Sequence, residues 1–244
     1  MCWVPDPIFA QRRLAEVYDP LDPDRSDLDT YLAMVEEFAA RSVLDIGCGT
    51  GTLACLLAAR GLAVTGVDPA QASLAVARTK PGADRVRWIH GYLSDVPPFK
   101  ADLIAMTANV AQVFLTDEDW ASALRTAATL LATGGHLIFE TRNPAAQAWL
   151  EWTPDLSHKH EVIPGVGGVT AWVDVTDLSP PFVSFRWTFI FDADGVRLIS
   201  DSTLRFRTRD EVAASLAATG YLLDDVREAP DRAGHELVFI ARRA

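Results

Sequence analysis

The chain has 244 residues, 49% of them hydrophobic, and a formal net charge of -11. That hydrophobic share excludes a disordered protein and suffices for one large domain, or one domain with an insertion. The acidic balance repels phosphate backbones at long range, which disfavours nucleic acid as a partner.

The densest basic run, Leu204-Arg205-Phe206-Arg207-Thr208-Arg209, alternates in period two and reads as the solvated face of a strand. Cys2, Cys48 and Cys55 give an odd count without a disulfide framework, and the seven-residue step from Cys48 to Cys55 is not a metal-ligand spacing. His158-Lys159-His160 has no acid or thiol cluster beside it and reads as a solvated loop, so no metal is expected. Met1 to Asp6 lacks a basic stretch leading into an apolar one, and the apolar run Leu53 to Ala59 is too short to span a bilayer. A cytoplasmic protein with no membrane partner is the expectation; the oligomeric state is left open.

In chain order, helical spacing covers about Ile8 to Tyr18 and Leu28 to Ala40, with the Pro/Asp-rich stretch from Asp19 to Asp24 expected as a non-helical link. A strand-helix rhythm follows. Ser42 to Ile46 leads through glycines into a helix ending near Arg60, and Leu62 to Val67 into a helix over Gln71 to Arg78. Runs at Arg85 to His90 and Ala101 to Met106 precede a helix over Glu118 to Leu131, and Gly134-Gly135 hands over to Leu137 to Glu140. Short apolar strands alternating with helices predict parallel pairing and a doubly wound α/β sheet. From Val169 to Phe206 the period changes to two, predicting three antiparallel strands: Val169 to Val175, Val183 to Phe191 and Arg197 to Phe206. A helix at Asp210 to Ala218 and two runs, Tyr221 to Glu228 and Glu236 to Ala241, close the sheet. This divides the chain into a helical lid over 1–41, a core over 42–148 and 208–244, and an antiparallel insertion over 149–207.

The loop Gly47-Cys48-Gly49-Thr50-Gly51 joins a predicted strand to a predicted helix, where glycines allow a tight turn and close approach to a ligand. Its spacing is G-x-G-x-G, and Thr52 stands where a dinucleotide fold wants a third glycine. Asp45 sits inside the preceding apolar strand, so its carboxylate must meet donors there: loop amides, ordered water or a cationic ligand group. Asp68, seventeen residues beyond Gly51, ends the second strand before Pro69. That position suits a pair of ribose hydroxyls, and it equally suits a helix N-cap.

At these residues the chain resembles the class I S-adenosylmethionine-dependent methyltransferases. Val43 to Gly51 matches their first motif without a gap, and the likeness extends through Val64 to Pro69, Asp102 to Ile104 and Leu131 to Leu137. The resemblance implies a Rossmann-like, seven-stranded, mostly parallel sheet. It implies that Gly47, Cys48, Gly49 and Gly51, with Asp45 behind them, line the methionine part of S-adenosylmethionine, and that Asp68 with Pro69 holds the ribose. Where the family often carries an acid beside adenine, this chain has Tyr92-Leu93; either Asp95 supplies that contact or Tyr92 packs on the ring. Asn109 and Gln112 would pass beside the reactive methyl, and Tyr18-Asp19 resembles a lid motif of small-molecule methyltransferases.

The expected activity is in-line methyl transfer to an N or O nucleophile of a small molecule. The rivals are an NAD(P)-dependent oxidoreductase, against which the missing third glycine argues, and a non-catalytic S-adenosylmethionine-binding module. Glu140 and Arg142 end an apolar run at the carboxyl edge of the sheet, so Glu140, Arg142 and Asn109 are the candidates for catalytic roles, Arg142 as a clamp for an acceptor carboxylate or a closing element. Trp172, Phe185, Trp187 and Phe189 are the candidate aromatic roof.

Overall fold

The computed structural model describes residues 4–243, so Cys2 lies outside the described residues. Three helices come first: α1 (Pro7–Ala10), α2 (Arg12–Leu21) and α3 (Asp29–Glu37). The alternating core follows as β1 (Ser42–Ile46), α4 (Thr52–Ala59), β2 (Ala63–Asp68), α5 (Gln71–Ala77), β3 (Val86–His90), β4 (Ala101–Met106), α6 (Asp117–Leu130) and β5 (Leu131–Arg142). A short α7 (Pro154–Ser157) leads to β6 (Lys159–Ile163), β7 (Gly167–Ser179), β8 (Phe182–Phe191) and β9 (Arg197–Arg205). The chain ends with α8 (Arg209–Ala218), β10 (Tyr221–Glu228) and β11 (Glu236–Arg243).

Seven strands form one sheet in the order β10-β11-β5-β4-β1-β2-β3. Pairing is parallel from β3 to β5, and β11 runs antiparallel between β5 and β10. The expected doubly wound α/β class with a seven-stranded, mostly parallel sheet is therefore the observed one. Because β1 is apolar on both faces, helices must cover both. On one side Trp120 and Leu124 of α6 and Leu216 of α8 pack on Leu44, Ile104 and Phe139. On the other, Tyr31 and Leu32 of α3 and Leu53 and Leu57 of α4 pack on Val43, Leu103 and Ile240. The strand order reverses between β1 and β4, so a crevice opens at their carboxyl ends.

The second sheet has the order β6-β7-β8-β9 and is antiparallel throughout. It has four strands where the sequence predicts three. The additional strand is β6, which contains the His158-Lys159-His160 segment's last two residues and exposes three of its five. Its polar, half-solvated surface is that of an edge strand and carries no apolar alternation to read. The inner face of this sheet lays Val169, Ala171, Phe189 and Phe191 against Leu14, Val17 and Leu21 of α2.

Two further expectations change. Residues Asp19 to Leu21 are helical, because Pro20 falls in the last turn of α2, where it removes a single ladder bond and the Asp22 amide closes on the Asp19 carbonyl. The basic run is not a solvated face either. Arg207 is only 4% exposed, its Nη2 donating to the carbonyls of Phe114 and Thr116 at 2.8 and 3.1 Å. Arg205 donates to the Leu115 carbonyl at 3.0 Å.

Candidate cofactor and acceptor site

The crevice at the ends of β1 and β4 widens into a cavity of about 970 Å³, bounded by the glycine loop below and by α2 and the second sheet above. Gly47, Gly49 and Gly51 all take positive φ, at 68°, 52° and 76°, a conformation that Cβ-bearing residues resist. This winding lets the amides of Gly47 and Cys48 bond the Val67 carbonyl and brings the Gly49 amide to Asp68 Oδ2 at 2.8 Å. Asp68 Oδ1 accepts from the Ala70 amide at 2.7 Å. The N-cap of α5 is Ala70 itself, so Asp68 braces the turn while still lining the cavity. Burial holds its pKa above the usual carboxylate range, against the pull of those two amides.

Asp45 is 1% exposed, lines the cavity, and neither of its oxygens has a hydrogen-bond partner. Burial, reinforced by the nearby charge of Asp68, pushes its pKa up to about 7. An isolated buried carboxylate is costly, and a ligand ammonium placed there would relieve the cost. The donor set thus fits a cofactor that offers one cationic group to Asp45 and hydroxyls to Asp68, with its chain against Gly47, Cys48 and Gly49.

Tyr18, Pro69 and Asn109 also line this space, whereas Gly51, Tyr92 and Leu93 do not. A Cβ on Gly51 would meet Trp88 Cη2 at 2.5 Å and Ala77 Cβ at 2.8 Å, so this glycine faces the packed core. Tyr92 starts a short turn in which its amide donates to Asp95 Oδ2 at 2.7 Å, which commits Asp95 to the backbone.

Beyond Asn109 the cavity becomes an acid-lined chamber. Asn109, at φ 62°, donates its amide to Glu140 Oε1 at 3.1 Å and its side-chain Nδ2 to Glu236 Oε1 at 3.2 Å. The Tyr31 hydroxyl donates to Glu140 Oε2. Glu236 meets Arg232 Nη1 at 2.9 Å and Arg142 Nε at 3.8 Å. Glu140 and Glu236 are 7% and 3% exposed. Burial, then the neighbouring Glu236 charge, raises the pKa of Glu140, outweighing the Tyr31 and Asn109 donors. Arg142 is turned toward protein groups: its amide and Nη1 both reach Gln112 Oε1 at 3.3 Å, and its guanidinium lies 5.2 Å from the Trp152 ring centre. Gln112 itself does not line the cavity, and its Nε2 ties the loop to the Arg205 carbonyl at 3.3 Å.

The upper wall is aromatic. Phe185, Trp187 and Phe189 line the chamber, with Trp152 edge-on to Phe185. Trp172 belongs to the opposite face, since it pairs across strands with Thr188, one residue out of phase with the inward aromatics. It donates to Asp174 Oδ2 at 3.0 Å instead. Tyr31, Trp152, Arg232 and Glu236 were not among the sequence-derived candidates. For Glu236 a signal exists: an acid heading the apolar run Leu237 to Ala241, the same pattern that exposes Glu140.

A doubly wound sheet with a glycine-rich turn and two buried acids at its switch point defines a binding domain for a nucleoside-bearing cofactor. Residues 43–135 match the family model of the methyltransferase domain. The ubiquinone biosynthesis O-methyltransferase of Serratia proteamaculans is 31% identical over 153 residues, covering 57% of this chain and 62% of that protein. The enzyme of that name from Vibrio vulnificus is 28% identical over 163 residues, covering 62% and 69%. The chain thus spans less than two thirds of the length of the Serratia relative. Among solved structures, an S-adenosylmethionine-dependent methyltransferase from Clostridium acetobutylicum superposes with a TM-score of 0.74 at 17% identity, over 95% of this chain and 98% of that one. The sugar N-methyltransferase KedS8 from Streptoalloteichus has a TM-score of 0.73 at 20% identity, over 93% of each chain. Residues 43–135 thus carry a methyltransferase domain, and the chain has the fold of these solved methyltransferases.

Proposed function

We propose that the chain transfers a methyl group from S-adenosylmethionine to a small-molecule acceptor held in the chamber under the second sheet. The observation that carries this reading is Asp45, whose two buried oxygens lack partners beside the glycine loop, in a cavity that continues into a separate aromatic chamber. Asp45 would hold the cofactor's ammonium, Asp68 its ribose hydroxyls, and Gly47, Cys48, Gly49 and Pro69 its flanks. Tyr18 closes the space from the lid. Tyr92 and Leu93 lie beyond the enclosed cavity, on the strand edge where adenine would extend.

Bound S-adenosylmethionine supplies an electrophilic methyl on a sulfonium, so the work left to the protein is alignment, which proximity alone can make worth several kcal/mol. Asn109 stands between the two halves of the cavity and orients the acid pair by two hydrogen bonds. Phe185, Trp187 and Phe189 keep bulk water off the transfer path. The relatives' names include an O-methyltransferase and a sugar N-methyltransferase, so kinship leaves the acceptor atom open between oxygen and nitrogen. Among the described residues no helix is long and apolar enough to cross a membrane. The buried free thiols Cys48 and Cys55 suit a reducing compartment, and we place the protein in the cytoplasm.

The test pairs calorimetric titration with S-adenosylmethionine and incubation with labelled cofactor and a metabolite extract, followed by mass analysis of the product. Binding of the cofactor and label in a small molecule are expected. Stabilisation by a nicotinamide dinucleotide in its place, or label appearing in tRNA, overturns the reading.

A further inference from the structure

Resting on the methyl-transfer reading, we propose that the acceptor is a small-molecule amine that arrives as its ammonium ion, and that Glu140, supported by Glu236 and Tyr31, receives it and takes its proton.

The cavity is strongly acidic. Ten carboxylates line it against four cationic side chains, Arg25, Arg142, Lys159 and Arg232. With Asp45 and Asp68 assigned to the cofactor, eight carboxylates still line the cavity against those four cations. An acceptor bearing phosphate or carboxylate would meet repulsion there. A cation would be drawn in, and aromatic walls such as Trp187 favour it further.

Within the chamber the two buried acids differ in how their charge is balanced. Glu236, at the start of β11, faces Arg232 from the preceding loop, Arg142 from β5 and the Asn109 side chain. Glu140, on β5, has as hydrogen-bond donors among the described residues the Tyr31 hydroxyl from α3 and the Asn109 amide, with Glu236 as a like charge and Arg142 and Arg232 as cations that do not hydrogen-bond it. Neither donor to Glu140 is charged. A directly bonded cation is what Glu140 lacks and an ammonium would supply.

An ammonium has no lone pair with which to attack, so such an acceptor needs a base. Glu140 as carboxylate takes one proton from R–NH₃⁺, leaving R–NH₂ and the carboxylic acid. The freed nitrogen pair forms the new N–C bond, and the pair of the broken C–S bond stays on sulfur. Tyr31 is a positioning residue: its hydrogen bond fixes the Glu140 carboxylate and holds its pKa lower than burial alone would set it.

The test needs no knowledge of the natural acceptor. Protein saturated with S-adenosylhomocysteine is titrated calorimetrically with benzylammonium, benzyl alcohol and benzoate. Benzylammonium is expected to bind about ten-fold more tightly than the alcohol, the difference a charge-assisted hydrogen bond makes. E140Q is expected to lose that preference while keeping its affinity for S-adenosylhomocysteine. In Y31F the pH at which benzylammonium affinity falls off on the acid side should move upward, since a donor to the ionised carboxylate is gone. Equal or better binding of the alcohol or benzoate, a preference that survives in E140Q, or an unmoved acid limb in Y31F overturns the inference. If E140Q does not fold, the wild-type preference and the Y31F shift still decide. Failure to bind S-adenosylmethionine or S-adenosylhomocysteine would sink methyl transfer instead, and an O-methylated product from the extract would sink the amine while leaving methyl transfer standing.

Discussion

Lys80 Nζ lies 2.7 Å from Oδ2 of Asp19, while Oδ1 of the same carboxylate accepts a 2.8 Å bond from Thr50 Oγ1. One residue of α2 thus grips both the glycine loop and the segment after α5. Arg25 Nη1 stands 3.8 Å away as a second cation. The side chains of Asp19 and Lys80 are about one-fifth exposed, so solvent screens the pair only in part. Tyr18, next to Asp19, lines the same cavity as Asp45, so under the proposed function this anchor holds α2 over the cofactor. Asp19→Ala is expected to weaken S-adenosylmethionine binding by roughly 1–2 kcal/mol, about ten-fold in Kd, with little change in thermal midpoint. Calorimetric titration and a melting curve on the same sample check both halves of the prediction.

The glycine-loop half of the cavity was legible because its signals are local. Asp45, Gly47, Gly49 and Asp68 sit within one β-loop-α-β stretch and line one cavity, each breaking the pattern around it, whereas Gly51 faces the packed core. The acceptor half was not. Tyr31 comes from α3, Glu140 from β5 and Glu236 from β11, and only the antiparallel register placing Glu236 opposite Arg142 brings them together. Trp172 was misread as a roof residue because alternation defines two faces of a strand without saying which faces inward. Pro20 was misread because a proline's cost depends on where in the helix it falls, and the last turn is permissive.

Asp45 makes the free protein's stability pH-dependent. Its pKa in the fold is about 7, above the 3.8 of an unperturbed aspartate. Between those values the folded state holds a proton that the unfolded chain has released, so stability from this group declines as pH rises through the window. Asp45→Asn is expected to be more stable than wild type at pH 8 by roughly 3 kcal/mol, with the gap closing toward pH 4. Under the proposed pairing of Asp45 with the cofactor's ammonium, the same substitution should lower S-adenosylmethionine affinity at least ten-fold by a charge-assisted hydrogen-bond estimate of about 1.5–3 kcal/mol. Urea melts at both pH values, with and without S-adenosylhomocysteine, separate the two effects.

Gly51 is expected to matter for folding more than for ligand contact. With φ at 76° and Trp88 Cη2 2.5 Å from the position of a Cβ, alanine there meets both backbone strain and a steric block. Trp88 cannot easily yield, since its Nε1 donates to the Ala83 carbonyl at 2.9 Å and its ring also lies against Gly66. Gly51→Ala should destabilise by roughly 2–4 kcal/mol. Trp88→Leu, which vacates part of that space, should recover some of the loss, and a double-mutant cycle in urea measures the coupling.

Arg207 tests whether the basic segment before α8 serves the fold or a ligand. It is buried away from the cavity, and burial together with the nearby charge of Arg205 lowers its pKa to about 10. Its Nη2 satisfies two carbonyls in the turn that launches α6, at Phe114 and Thr116, and its guanidinium lies 5.6 Å from the Trp120 ring centre. Removing it leaves both carbonyls without that donor and opens space beside the core. Arg207→Ala is therefore expected to cost roughly 3 kcal/mol, at about 2–4 °C of melting temperature per kcal/mol for a chain of this size. A lysine retains the charge without the guanidinium's planar fork of donors, so Arg207→Lys should recover less than half of the loss. Methyl transfer per folded molecule should stay near wild type in both variants. A fall in specific activity with unchanged stability would instead assign the arginine to ligand binding.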